Sequence, residues 1–340
     1  MRKKSGETVL YGYINGNYQV SCYGLNLQTR VYTALRVGED LKPDFPDSID
    51  LKITDCCNHG CSFCHESSNP RGKHFDYDKT MEKLTELIPF DVPVEIAIGG
   101  GNIFECWSDF VKLHGSLLIR GNCPRFTINV KDLRDVEKVI ALHKELTAPC
   151  MGISISSPDD FKFLRSSTLG SNLDYINLLT HYGMPRMVLH VIVGLYPVEG
   201  LEELLDYSFK GYNILFLGYK QFGRALNSPV PDLTEWKDIL KRKIFNYRSI
   251  GKYIFDRYSG NKSCCIGFDN LTIEQLDIQG ALLDKEWDYF YLGNEFSHSM
   301  YIDAVKGELA PTSRSPKEER VSWDTCDIVS YFKNNHNKWS

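Results

Sequence analysis

The chain has 340 residues, 42% hydrophobic and 24% charged, with a net charge of −5. This is an ordinary globular composition, long enough to bury a sizeable core. Mild acidity disfavours an extended nucleic-acid track, which needs a basic face, and no apolar run approaches the roughly 18 residues of a membrane span. The N-terminal stretch MRKKSGETVLYGY is basic but has no apolar segment of signal-peptide length, so a cytoplasmic protein with no membrane partner is expected.

In chain order, residues 8–23 alternate aromatic and polar side chains around Asn15-Gly16, the pattern of a tight hairpin. A third strand is expected at 30–37, and two prolines in KPDFPDS end this N-terminal β-hairpin extension near residue 48. A strand-then-helix rhythm follows. Strands are predicted at 49–54, 94–100, 125–130, 151–157, 186–194 and 212–219. Helices are predicted at 77–88, 105–118, 132–146, 172–182 and 198–208. Six apolar strands alternating with helices define an α/β fold, a partial (β/α)6 barrel of parallel strands over 49–225. Residues 226–340 read as a C-terminal α+β extension, with a helix at about 233–246 and strands near 264–271 and 298–306. Its "FSHSMYIDAVKGELAPTS" reads as a strand and turn that close the barrel and shape the substrate site.

Eleven cysteines are present, an odd and scattered set; a disulfide framework is expected in small secreted domains and not in a chain of this size without a secretion signal, so reduced thiols are expected. Cys56, Cys57, Cys61 and Cys64 sit between the first strand of the series and its helix, the end at which parallel α/β proteins bind ligands. Cys57, Cys61 and Cys64 have a three-then-two spacing, and Cys56 falls outside it. Three thiolates suit an iron–sulfur cubane whose fourth iron has no protein ligand and stays open to a donor from elsewhere. A zinc site completed by His59 or His65, in a non-catalytic structural or sensing protein, is the alternative reading.

Cys57-x-x-x-Cys61-x-Phe63-Cys64, after the first strand of a six-unit β/α series, resembles the signature of the radical S-adenosylmethionine (radical SAM) superfamily. The resemblance covers about residues 49–225. It implies a [4Fe-4S] cluster on Cys57, Cys61 and Cys64, and S-adenosylmethionine chelated at the open iron. It also implies an external electron donor of flavodoxin or ferredoxin type. Reductive cleavage then gives a 5′-deoxyadenosyl radical that abstracts hydrogen from substrate. Phe63 matches the family's aromatic residue near the adenine. IAIGGGNIFE at the end of the second strand resembles the family's glycine-rich segment, placing Gly99, Gly100 and Gly101 at the methionine amino group. Glycines there let backbone carbonyls approach an ammonium. The family often carries Glu after the glycine pair, where this chain has Gly101 and Asn102.

Further candidates follow along the series. Ser154 and Ser156 share one strand face at period two and could reach the cofactor's ribose or carboxylate; Asn129 on the third strand is similar. They read equally as core polar residues. HVIVGLYP on the fifth strand resembles the apolar segment against the adenine, implicating Val191, Val193 and Gly194. LGYKQFGRA after the sixth strand gathers Tyr219, Lys220, Gln221 and Arg224. Cations there suit a carboxylate or phosphate, and Arg224 is a candidate for the cofactor carboxylate. His65 and Glu66 are candidates for tuning the cluster, and Asp269 and Asp303 for contacting substrate. Cys264, Cys265 and Cys326 do not reproduce the spacing of an auxiliary cluster. The substrate, whether peptide or protein, nucleotide or small metabolite, has no motif.

Overall fold

The computed structural model describes residues 3–5, 8–26, 31–37, 42–146, 150–166, 186–208, 213–249, 266–284, 287, 291 and 297–335. The expected helix at 172–182, together with Cys264 and Cys265, lies outside them. The elements begin with four strands, β1 (Lys3–Ser5), β2 (Thr8–Asn15), β3 (Tyr18–Asn26) and β4 (Val31–Val37). Next come β5 (Ser48–Thr54), α1 (Tyr77–Leu87), β6 (Glu95–Gly100), α2 (Trp107–Ile119) and β7 (Cys123–Asn129). They are followed by α3 (Val136–Glu145), β8 (Cys150–Ile155), α4 (Pro158–Ser166), β9 (Arg186–Ile192), α5 (Leu201–Ser208) and β10 (Asn213–Leu217). The remainder holds α6 (Thr234–Ser249), β11 (Ile266–Phe268), α7 (Asn270–Leu276), α8 (Ile278–Ala281), β12 (Ser299–Asp303), β13 (Glu308–Ala310), β14 (Val321–Ser322) and α9 (Ile328–Asn335).

The chain divides into two compact units, residues 1–127, 144–150 and 294–340 in the first and residues 128–143 and 151–293 in the second. In the first, β1 to β4 form an antiparallel sheet in sequence order, and the expected hairpin is present with its turn at Gly16-Asn17, since Asn15 still pairs with Tyr18. Asn15 is fully buried and fastens this hairpin to the segment leading into β5. Its amide donates to the Phe45 carbonyl and the Asp47 carboxylate, both at 2.8 Å. A second sheet of the first unit has the order β7-β6-β5-β12-β13-β14. There β12–β5, β5–β6 and β6–β7 pair parallel, and the hairpin strands β13 and β14 antiparallel. The second unit carries β8-β9-β10-β11, in which β9, β10 and β11 are parallel. An α/β fold with a mostly parallel sheet is therefore observed.

β6, β7, β9 and β10 alternate as strands packed unequally on their two faces do, whereas β5 and β8 are buried along most of their length. Ile96, Ile98, Phe126, Ile128, Leu189, Val191, Ile214 and Phe216 are buried, while the residues between them are half-buried. Helices cover the buried face. Phe110 of α2 meets Phe126 edge-on with ring centres 5.2 Å apart, and Trp236 of α6 meets Phe216 at 5.7 Å. The half-buried positions include small and polar residues, Ala97, Gly99 and Thr127 in the first unit and Asn129, Ser154 and His190 in the second. Of the strand that the sequence places at 264–271, Ile266–Phe268 is extended among the described residues, and it ends there because the Asp269 carboxylate accepts from Thr272 N at 2.7 Å and starts α7.

His114 on α2 is packed between Phe110 and Phe126, ring centres 6.0 and 6.1 Å away, and burial lowers its pKa from 6.5 to about 4. The folded chain thus refuses a proton that the unfolded chain accepts between those values. Stability from this residue is complete above about pH 6.5 and is lost as pH falls towards 4, at a cost of about 2 kcal/mol by pH 5. Thermal melts at pH 7 and pH 5 should show a smaller loss in His114→Leu than in the parent chain. Equal losses would remove His114 from the acid sensitivity.

Candidate active site

The cysteine loop leaves β5 at Thr54 and is closed by backbone pairing. Asp55 N donates to the Lys73 carbonyl at 2.8 Å, Cys57 N to Asn69 at 3.1 Å and Asn69 N to Asp55 at 3.0 Å. Within this frame the four cysteines separate. Cys56 is buried, 6% exposed, and its thiol donates to the Pro70 carbonyl at 3.5 Å. Burial first, then the charge of Glu105, raises its pKa. Cys57, Cys61 and Cys64 are half-buried, and the turn between the last two is held by Cys64 N donating to the Cys61 carbonyl at 3.3 Å. Phe63 is likewise half-buried. Cys106, Cys123 and Cys150 are buried core thiols.

The glycine segment is built into the back of this loop. Gly101 N donates to the Thr54 carbonyl at 2.6 Å and Asn102 N to the Cys56 carbonyl at 2.8 Å. A side chain at Gly101 would begin 2.2 Å from the Cys56 oxygen. Gly100 has φ +116° and would collide with the Thr54 carbonyl at 2.4 Å, so both positions need glycine. Gly99 differs: a Cβ there would meet nothing within 4 Å. Asn102, where the resemblance leads one to look for Glu, caps the turn Ile103–Cys106 through Phe104 N at 3.1 Å. Its amide also bonds His59 Nε2 at 3.2 Å, and Asn58 donates to Glu105 at 2.7 Å. Loop and glycine segment are thus one hydrogen-bonded body, a set of contacts that no spacing in the sequence announces.

Under the loop lies a buried ion cluster. Lys52 Nζ is 2.6 Å from Asp55, 2.6 Å from Glu66 and 3.3 Å from Asp303. Burial by itself favours the neutral amine, but Glu66, Tyr301 and Asp303 outweigh it and hold the ammonium pKa well above its usual value. Burial opposes ionisation of Glu66 too, and His65 and Lys52 together hold its carboxyl well below the usual range. Asp303, a candidate for substrate contact, is fully buried in this cluster.

The remaining candidates belong to the second unit. Asn129 accepts from Lys131 N at 3.0 Å and caps the turn that follows. Ser154 is half-buried on β8. Ser156 gives both its N–H (3.0 Å) and its hydroxyl (3.1 Å) to the Asp160 carboxylate. Val193 is buried, its N–H donating to the Leu217 carbonyl at 2.9 Å. His190, with pKa lowered to about 4 by burial, lies against Gly152. Tyr219 is buried, exchanging backbone bonds with the Gln275 amide at 2.9 Å each way. Lys220 and Arg224 are half-buried beside it in sequence, Arg224 in the turn Gly223–Asn227.

The donor set can be tested against the groups it suggests. Among the described residues no three His, Cys, Asp or Glu side chains converge on a point as ligands of one ion do. His59 is engaged by Asn102, and His65 Nε2 lies 3.4 Å from Glu66. A cubane asks for something else, one thiolate for each of three irons. Three half-buried cysteines on a closed loop, with the fourth turned inwards, fit that demand.

Residues 51–208 match the family model of the radical SAM superfamily. These residues form a radical SAM domain, and members of that superfamily use a [4Fe-4S] cluster and S-adenosylmethionine. The chain's fold is shared with solved structures of SuiB from Streptococcus suis. The complex of SuiB with precursor peptide SuiA aligns at a TM-score of 0.59 and 13% identity, covering 86% of this chain and 66% of SuiB. The complex of SuiB with S-adenosylmethionine aligns at 0.55 and 14%, covering 86% and 67%. The chain therefore spans about two thirds of SuiB's length, and at these identities the likeness is one of fold. No curated protein sequence matches the chain. No helix among the described residues is long and apolar enough to cross a membrane.

Proposed function

We propose that Cys57, Cys61 and Cys64 hold a [4Fe-4S] cluster with one open iron, and that Gly99, Gly100 and Gly101 line the place of the methionine moiety of S-adenosylmethionine. The division of the four cysteines into one buried thiol and three half-buried ones carries this reading. When bound, cluster and S-adenosylmethionine supply a 5′-deoxyadenosyl radical for hydrogen abstraction, after reduction by an external donor of flavodoxin or ferredoxin type. The chain's part is to bind, orient and exclude water. Gly99 offers backbone in open space to an ammonium. Phe63 is assigned as an aromatic face for the adenine, and Val193 as an apolar contact of the same base. Asn129, Ser154 and Ser156 are assigned to the cofactor's polar groups, and Arg224 either to its carboxylate or, with Lys220, to an anionic group of the substrate. Residues 49–225 serve as the radical SAM core, and residues 1–48 and 226–340 as the substrate-defining extensions.

The substrate class to test first is a peptide, the class seen with SuiB in a structure of similar fold. Anaerobically purified chain should be brown and form 5′-deoxyadenosine only with reductant. Deuterium should pass into 5′-deoxyadenosine from a labelled peptide substrate and not from labelled nucleotides. A colourless protein containing stoichiometric zinc would overturn the reading.

Lys220 and Arg224 offer a finer test. If they hold an anionic group of the substrate, Lys220→Ala and Arg224→Ala should retain 5′-deoxyadenosine formation in the absence of substrate. Product formation should fall about ten- to a hundredfold, as expected for one lost charge-assisted hydrogen bond. Loss of substrate-free cleavage in Arg224→Ala alone would assign Arg224 to the cofactor carboxylate. Full turnover in both variants would leave the two cations as a solvated loop.

A further inference from the structure

The residues around Lys52 bracket the cysteine triplet. Asp55 stands two positions before Cys57 and Glu66 two after Cys64, and both carboxylates lie 2.6 Å from one ammonium. The third carboxylate, Asp303, comes from β12, whose register sets Asp303 directly beside Lys52, just as the β5–β6 register sets Lys52 beside Gly99. Lys52 is 3% exposed and Asp303 fully buried. Lys306 at 3.8 Å and Arg320 at 3.9 Å supply further positive charge to Asp303. Ion pairs this deep do not tolerate the loss of one member, since the charge left behind has no water to replace it.

We propose that Lys52 is a positioning residue, clipping the two stems of the cysteine loop to each other and to β12. The C-terminal segment 299–320 is then a working part of the cluster-binding loop, although it lies far from the cysteines in sequence. The role of the loop rests on the cluster reading above; the clip itself does not. Its ammonium fixes where the loop begins and ends, so that three cysteines emerge from a preformed frame and the loop need not be ordered by the metal.

The test is hydrogen exchange on the full chain before reconstitution, followed by iron release to a chelator after it. In Lys52→Met and Asp303→Asn, peptides covering 55–67 should exchange at least tenfold faster, while α1 and α2 keep parental rates. Chelator should strip iron at least tenfold faster from both reconstituted variants, and Lys52→Arg should restore part of each effect. Asp303→Asn preserves side-chain shape and carries the test should Lys52→Met not fold. Parental exchange in 55–67, or acceleration spread evenly over the chain, overturns the proposal. If the parent chain takes up no cluster, the cluster reading fails while the exchange measurement still decides the clip.

Discussion

Replacing Cys57, Cys61 or Cys64 with alanine should abolish iron–sulfur absorbance and all reductant-dependent 5′-deoxyadenosine formation, whereas Cys56→Ala should preserve both. Two thiolates hold a cubane poorly, so each of the first three substitutions removes the site itself. Cys56 is different in kind. It is buried, keeps its proton and spends its thiol on the Pro70 carbonyl. Its replacement should cost about 1 kcal/mol of stability, the scale of one modest hydrogen bond, and no iron. Iron content and thermal melts on the four variants decide the matter together. A Cys56→Ala protein as colourless as Cys57→Ala would mean that the ligand register is shifted by one.

The second large effect separates neighbouring glycines. Gly99→Val places a branched side chain in open space, so the variant should fold and load iron normally. Its affinity for S-adenosylmethionine should fall at least tenfold, about 1.4 kcal/mol or more, because the side chain occupies the approach to the backbone. Gly100→Val should behave otherwise. At φ +116° and 2.4 Å from the Thr54 carbonyl, a valine displaces the start of the cysteine loop, and iron and cofactor should be lost together. Equilibrium dialysis beside iron analysis distinguishes the two. Parental affinity in an iron-loaded Gly99→Val protein would remove this segment from the cofactor site.

The six strands were legible because each repeats an apolar residue at period two or in a short run, a signal that burial on one face imposes. The cysteine loop was legible for a related reason: strand context and spacing are both local. What escaped was non-local. IDLKIT is recognisable as a strand, but nothing near it shows that Asp303 will arrive beside Lys52. Asp303 in turn reads as a charge beside a late strand, not as the partner of residue 52. Residues 298–306 are recognisable as a strand, but a strand pattern does not name its neighbour, and β12 chooses β5. Asn102 was noticed only as a departure from a pattern. Its use as a cap and a tie to His59 depends on three-dimensional closure of a loop 43 residues away.

The parallel docking of β12 on β5 also dictates an order of events during synthesis. About 245 residues separate Thr54 from Ser299, and until they have been made, one edge of β5 has no strand to pair with. At about 5–20 residues per second this interval lasts on the order of ten to fifty seconds. Throughout it the nascent chain presents an apolar strand with an open edge, the kind of surface that templates association between chains. Native completion is therefore a late, C-terminal event, and a chain arrested before residue 299 has emerged should remain open to protease at the very loop that carries the three cysteines.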